Sequence, residues 1–113
     1  MPVDLYAGIY VRDYEAAKVW CVKLFGSEPT FVASETEAVW ELAPHRSIFI
    51  EENAGHAGHA VQTIFVDDLD FLVTQIAERG IEPVKRETYD NGVRKALYQD
   101  PDDNEIEFGG APL

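Results

Sequence analysis

The sequence predicts an α+β fold in which one βαβββ unit occurs twice. Three observations predict it. Two stretches of helical spacing, each opened by an aspartate and closed by a glycine, divide the 113 residues into comparable halves. One strand-like run precedes each of them and three follow. The halves also share sequence. Ile9-Tyr10-Val11-Arg12-Asp13 matches Ile64-Phe65-Val66-Asp67-Asp68 at an offset of 55, and Gly26-Ser27-Glu28-Pro29 matches Gly80-Ile81-Glu82-Pro83 at an offset of 54. One residue fewer around the second helix accounts for the change. The expectation is a single domain over 1–113, with module one at about 1–52, a loop at 53–58 and module two at 59–113. Two curved mixed sheets would enclose a concave cavity, with the helices on their outer face.

Val3 to Val11 reads as the first strand, with Ala7, Ile9 and Val11 on one face and Tyr6, Gly8 and Tyr10 on the other. Asp13 can cap a helix reaching about Phe25, with Ala16, Val19, Trp20 and Leu24 as its apolar stripe. Gly26 closes it as a C′ residue and Pro29 prevents continuation. Thr30–Ser34, Ala38–Ala43 and Arg46–Glu51 read as strands, and the Gly-rich segment after them as a loop. His59–Val66 opens the second unit. Asp68 caps its helix, which buries Leu69, Leu72, Val73, Ile76 and Ala77 before Gly80. Pro83–Thr88 reads as a strand, Asp90-Asn91-Gly92 as a hairpin turn, and Val93–Gln99 and Glu105–Phe108 as the last two strands.

Composition limits the function. Apolar residues make up 46% of the chain, enough for a folded core and too much for a disordered segment. No apolar run approaches the roughly 20 residues that span a bilayer, and Met1-Pro2-Val3-Asp4 carries no basic region of a signal peptide, so a cytoplasmic location is expected. A formal charge of -12 repels nucleic acid and anionic membrane and favours cationic small molecules. Cys21 is the only cysteine, which rules out an internal disulfide; it is either a small core residue or a subunit contact.

The stretch with most chemistry is Asp100-Pro101-Asp102-Asp103-Asn104-Glu105-Ile106-Glu107-Phe108. Proline and three turn-tolerant side chains give a tight turn. The following strand alternates, so Ile106 and Phe108 face the core and Glu107 points to the opposite, concave face. A carboxylate fixed among apolar neighbours is a candidate ligand or acid–base group.

The element order and this turn resemble the vicinal oxygen chelate superfamily, which contains glyoxalase I, extradiol dioxygenases, fosfomycin-resistance enzymes and bleomycin-resistance proteins. The family's Asp-Pro-Asp-Gly-Asn turn is matched with Asp103 in place of glycine. The resemblance implies metal ligands at the start of each module's first strand, where this chain has Tyr6 and Val61, and at Glu107. A fourth would map near Glu51 or Glu52, and His59 could supply a displaced one. A carboxylate or two without imidazole suits zinc, nickel or iron poorly. No metal and no cofactor are therefore expected, and the chain is closest in character to the metal-free bleomycin-resistance branch.

Strand parity nominates the ligand-binding residues: Tyr6 and Tyr10, then Val61, Thr63 and Phe65, then Lys95 and Leu97, and finally Glu107; Trp40 and Phe49 are further candidates. Such an aromatic lining with one carboxylate suits sequestration of a cationic or aromatic ligand, such as an antibiotic. The other reading is a glyoxalase- or epimerase-like lyase or isomerase with Glu107 as catalytic base or metal ligand. Lys95 is the expected partner of Glu107, with Tyr6 as a possible hydrogen-bond donor. Two curved sheets with free edges lead to the expectation of a homodimer.

Overall fold

The computed structural model describes residues 3–113. Module one consists of β1 (Leu5–Val11), α1 (Tyr14–Phe25), β2 (Phe31–Ser34), β3 (Glu37–Ala43) and β4 (Arg46–Glu52). Module two consists of β5 (Val61–Val66), α2 (Leu69–Glu78), β6 (Lys85–Thr88), β7 (Arg94–Gln99) and β8 (Glu105–Gly110). A single 3-10 turn, Ala54–His56, lies in the linker between them. The two sheets have the same topology, β1-β4-β3-β2 and β5-β8-β7-β6, with one parallel pair in each. Neither sheet closes into a barrel.

The helix ends form as their residues require. Asp13 accepts the Ala16 amide and Asp68 accepts the Phe71 amide, satisfying donors that the first turn leaves free. Gly26 takes a left-handed φ of 77° and returns its amide to the Val22 carbonyl, a conformation that a β-carbon would oppose. The buried face of α1 differs from expectation. Tyr14, Ala17, Cys21 and Leu24 form it, whereas Ala16 and Val19 face solvent. Counting tyrosine and cysteine as apolar rotates the stripe to this face. In α2 Leu69, Val73 and Ile76 are buried, and Leu72 and Ala77 half-buried, as the spacing implied.

Both helices and the helix-facing sides of both sheets share one core. Ile9, Val11, Ile48 and Ile50 of module one join Ala96, Tyr98, Ile106 and Phe108 of module two. Arg79, just after α2, donates to the Lys23 and Leu24 carbonyls at the end of α1, tying the helices together. Cys21 lies inside this core, and burial pushes its thiol up to about 12, so it is a packing residue.

The Asp100–Asn104 turn fastens the modules. Asn104 is 1% exposed, and every polar site of its side chain is used. Its Oδ1 accepts the Gly58 and Ala60 amides at 3.2 and 2.9 Å. Its Nδ2 donates to the Tyr10 carbonyl of module one and to Asp100 Oδ2, both at 2.9 Å. Asp100 in turn accepts the Asp102 and Asn104 amides. Asp103 occupies the left-handed region at φ 72°, so the turn keeps its shape without glycine. Arg12 closes the clasp from the other side, its amide and guanidinium both donating to Asp102.

Candidate ligand-binding face

The pleat sorts side chains onto the two faces of each sheet. Tyr6, Gly8 and Tyr10 of β1 and Phe49 of β4 fall on the side away from the helices. So do Val61, Thr63 and Phe65 of β5, Lys95 and Leu97 of β7 and Glu107 of β8. This follows from the burial of Ile9, Val11, Ile48, Ala96, Tyr98, Ile106 and Phe108 on the helix side. Trp40 is a correction. It is 1% exposed on the helix side, tilted against Phe25 at 5.7 Å, with Nε1 donating to the Ser27 carbonyl. Its cross-strand partner is Ile48, a core residue, so parity removes it from the concave face.

Glu107 stands at the centre of a polar cluster. The cross-strand neighbours of β8 place Thr63 and Leu97 beside it. Thr63 Oγ1 donates to Glu107 Oε1 at 3.1 Å, and Lys95 Nζ lies 3.6 Å from Oε2. Lys95 also lies 5.3 Å from the centroid of the Tyr89 ring. Hydrogen bonding to Tyr89, then the charge of Glu107, raise the Lys95 ammonium above its ordinary value. Lys95 is thus the expected partner; the hydroxyl donor is Thr63 rather than Tyr6. Neither Thr63 as that donor nor Tyr89 was foreseen. Thr63 was legible from parity, but Tyr89 lies past the end of β6, outside any periodic run.

Exposed apolar side chains share this face, whereas the Lys95 and Glu107 side chains are 27% and 16% exposed. Tyr6, Tyr10, Val61 and Phe65 are 53%, 41%, 59% and 62% exposed. The expected cavity is therefore an open face within one chain. Tyr10 is tilted against His56 at 5.9 Å, and the Phe49 ring lies over Gly8. A β-carbon at Gly8 would approach Phe49 Cζ to 2.6 Å, and one at Gly109 would approach Phe65 Cδ2 to 2.9 Å. Each module thus lays a phenylalanine over a glycine of the neighbouring strand, with the partners exchanged: the phenylalanine comes from β4 in one and from β5 in the other.

The strand registers also identify the module-one counterpart of Glu107, one of the positions where the resemblance implies a metal ligand. Gly8 pairs with Phe49 and Thr63 with Glu107, and the offset of 55 equates Gly8 with Thr63. Phe49, not Glu51 or Glu52, is therefore the counterpart of Glu107. The four positions hold Tyr6, Phe49, Val61 and Glu107. Only Glu107 is a carboxylate, and the other three positions offer neither an imidazole nor a second carboxylate. These residues do not fit a divalent metal. His59 is exposed and precedes β5, His56 lies against Tyr10, and His45 bonds Asp4. Among the described residues no three His, Cys, Asp or Glu side chains gather as a metal site. No helix among them is long and apolar enough to cross a membrane.

Tandem βαβββ modules with a polar cluster on an open aromatic face define the class of this protein. The chain belongs to the Glyoxalase/Bleomycin resistance protein/Dioxygenase superfamily, whose sequence profile matches residues 5–108. A solved glyoxalase/bleomycin resistance protein from Catenulispora acidiphila DSM 44928 is 51% identical; the match covers 98% of this chain and all of that one, with a TM-score of 0.95. A bleomycin-binding protein solved with bleomycin shares the fold at 16% identity, covering 96% of this chain and 98% of that one, TM-score 0.78. A lactoylglutathione lyase from Agrobacterium tumefaciens shares it at 18% identity, with 94% and 91% covered and a TM-score of 0.77. No curated protein sequence matches the chain.

Proposed function

We propose that this chain is a metal-independent small-molecule binding protein of the glyoxalase/bleomycin-resistance type, working as a homodimer in the cytoplasm. The observation that carries this reading is the Thr63–Glu107–Lys95 cluster, set among exposed aromatic rings on an open face. A carboxylate with an ammonium on one side and a hydroxyl on the other is held in one geometry. It leaves Glu107 as an acceptor for a ligand's cationic group, while Tyr6, Tyr10 and Phe65 supply flat apolar contact. Large rings so exposed favour a cover, and a second copy supplies one of matching character. The acidic chain steers a cationic guest toward this face. The bleomycin-binding relative of the same fold supports an antibiotic as one such guest. The donor set at the four positions disfavours a lyase or isomerase with Glu107 as metal ligand, because Glu107 alone would have to hold the metal; the form with Glu107 as base is the second reading.

The test is calorimetric titration with bleomycin and a panel of cationic aromatic compounds, using wild type and Glu107→Gln. Saturable binding to wild type, weakened at least tenfold by the nearly isosteric substitution, is expected. Equal binding by the two proteins overturns the assignment of Glu107. Metal analysis of protein purified without chelator is expected to find less than a stoichiometric amount of zinc, nickel, iron or manganese.

A further inference from the structure

We propose that the groove between the start of β1 and the end of β5 binds a small amphipathic carboxylate. Its apolar chain lies among Leu5, Ala7, Ile48, Ile64 and Val66, and its carboxylate sits on Arg46. The groove has a volume of 480 Å³, within the range of small-molecule sites, and its walls are mainly apolar. It takes in Ile64 and Val66 from the helix side of β5 and Thr63 and Phe65 from the other, so it wraps the end of that strand and borders the Glu107 cluster at Thr63.

The internal repeat shows why the groove is there. β1 and β5 run side by side in opposite directions: Gln62 at the start of β5 reaches the Gly8 carbonyl, and Phe65 and Val66 at its end share the groove with Leu5. The junction therefore has two related ends. At one end the linker passes through. Ala57 is buried there, and Asn104 binds the Gly58 and Ala60 amides and the Tyr10 carbonyl. The registers equate Ser47 with Glu105, and hence Arg46 with Asn104. The residues before them, His45 and Asp103, share a left-handed φ of 65° and 72°. The linker passes only the Asn104 end; among the described residues the other end is an open groove, with Arg46 where Asn104 would be.

That exchange defines the ligand. Asn104 offers both an acceptor and donors, matching a peptide; a guanidinium offers only donors, in a fork that matches a carboxylate. Among the described residues no carboxylate lies within ion-pair distance of Arg46. The net charge of -12 opposes any anion at long range. Apolar burial must then supply most of the affinity, and acetate is too small to bind.

Decanoate, decanol and acetate serve as probes in carbon–proton methyl NMR titrations of the intact chain. Saturable shifts at the Leu5, Ile48, Ile64 and Val66 methyls with decanoate are expected. Acetate should give none, and decanol should bind at least tenfold more weakly. Arg46→Gln, which leaves the core untouched, should weaken decanoate at least tenfold. The proposal is overturned by an absence of shifts at millimolar decanoate, or by equal response to decanol. Shifts centred on Val61 and Leu97, or an Arg46→Gln protein that binds as wild type does, overturn it as well.

Discussion

Asn104 is the side chain on which most depends. It joins the end of β1, the linker and its own turn through four hydrogen bonds, all in a site closed to water. Asn104→Ala leaves two amides, a carbonyl and the Asp100 carboxylate without that partner, so a loss of about 2–4 kcal/mol is expected in urea denaturation. Asp100 beside it behaves unusually. Burial raises its carboxyl above the ordinary range, more than the Asn104 and Asp102 hydrogen bonds lower it. A folded-state value above the unfolded one means that its contribution is full below about pH 4 and is lost as pH rises through the raised value. This opposes the usual acid destabilisation. Asp100→Asn should therefore steepen the fall in Tm between pH 6 and pH 3, measured by calorimetry. At this scale the sequence was readable where parity alone decides: Glu107, Lys95 and Thr63 fall on the face expected of them. Asn104 was read only as a turn residue, because its partners in the linker and β1 lie 44 to 94 positions away, beyond any local pattern.

At the scale of elements, the paired glycines and phenylalanines make a comparison. Gly8→Ala puts a β-carbon into the half-buried Phe49 ring, which has little room to move, and should cost about 1–3 kcal/mol. Gly109→Ala meets Phe65, which is 62% exposed and free to swing outward, so its cost should be under about 1 kcal/mol. Chemical denaturation of the two variants gives the order, and a reversed order would refute this account of the rings. Strand and helix boundaries were legible to within a residue or two, because Asp13, Gly26, Asp68 and Gly80 mark them chemically. The face of α1 was not. Its stripe mixes Tyr14, Ala17 and Cys21, residues of uneven hydrophobicity, so its spacing carried a weak signal. Trp40 was misplaced for a related reason: a large aromatic was weighed as cavity lining, although its parity with Ile48 already set it in the core.

At the scale of the molecule, the repeat was the most readable property, since a five-residue and a four-residue match at nearly one offset need no structure to find. How the repeats close was not readable. The exposed Tyr6, Tyr10, Val61 and Phe65 show that one chain leaves the concave side open. Light scattering at micromolar concentration is expected to give twice the 12.7 kDa chain mass. Exchanging Phe65 for lysine, at an exposed position, should shift that mass toward the monomer without unfolding the chain. A dimer that survives this change would place the contact elsewhere.

The single linker also makes the order of the modules arbitrary. Eight residues, 53–60, carry the chain from the end of β4 to the start of β5, and seven, 111–113 with 1–4, would carry it from the end of β8 back to β1. Joining Leu113 to Met1 and opening the chain between Gly55 and His56 should give a permuted protein that folds with module two first. In it the new connection would pass the groove beside Arg46, and the Asn104 end would lose its covalent link.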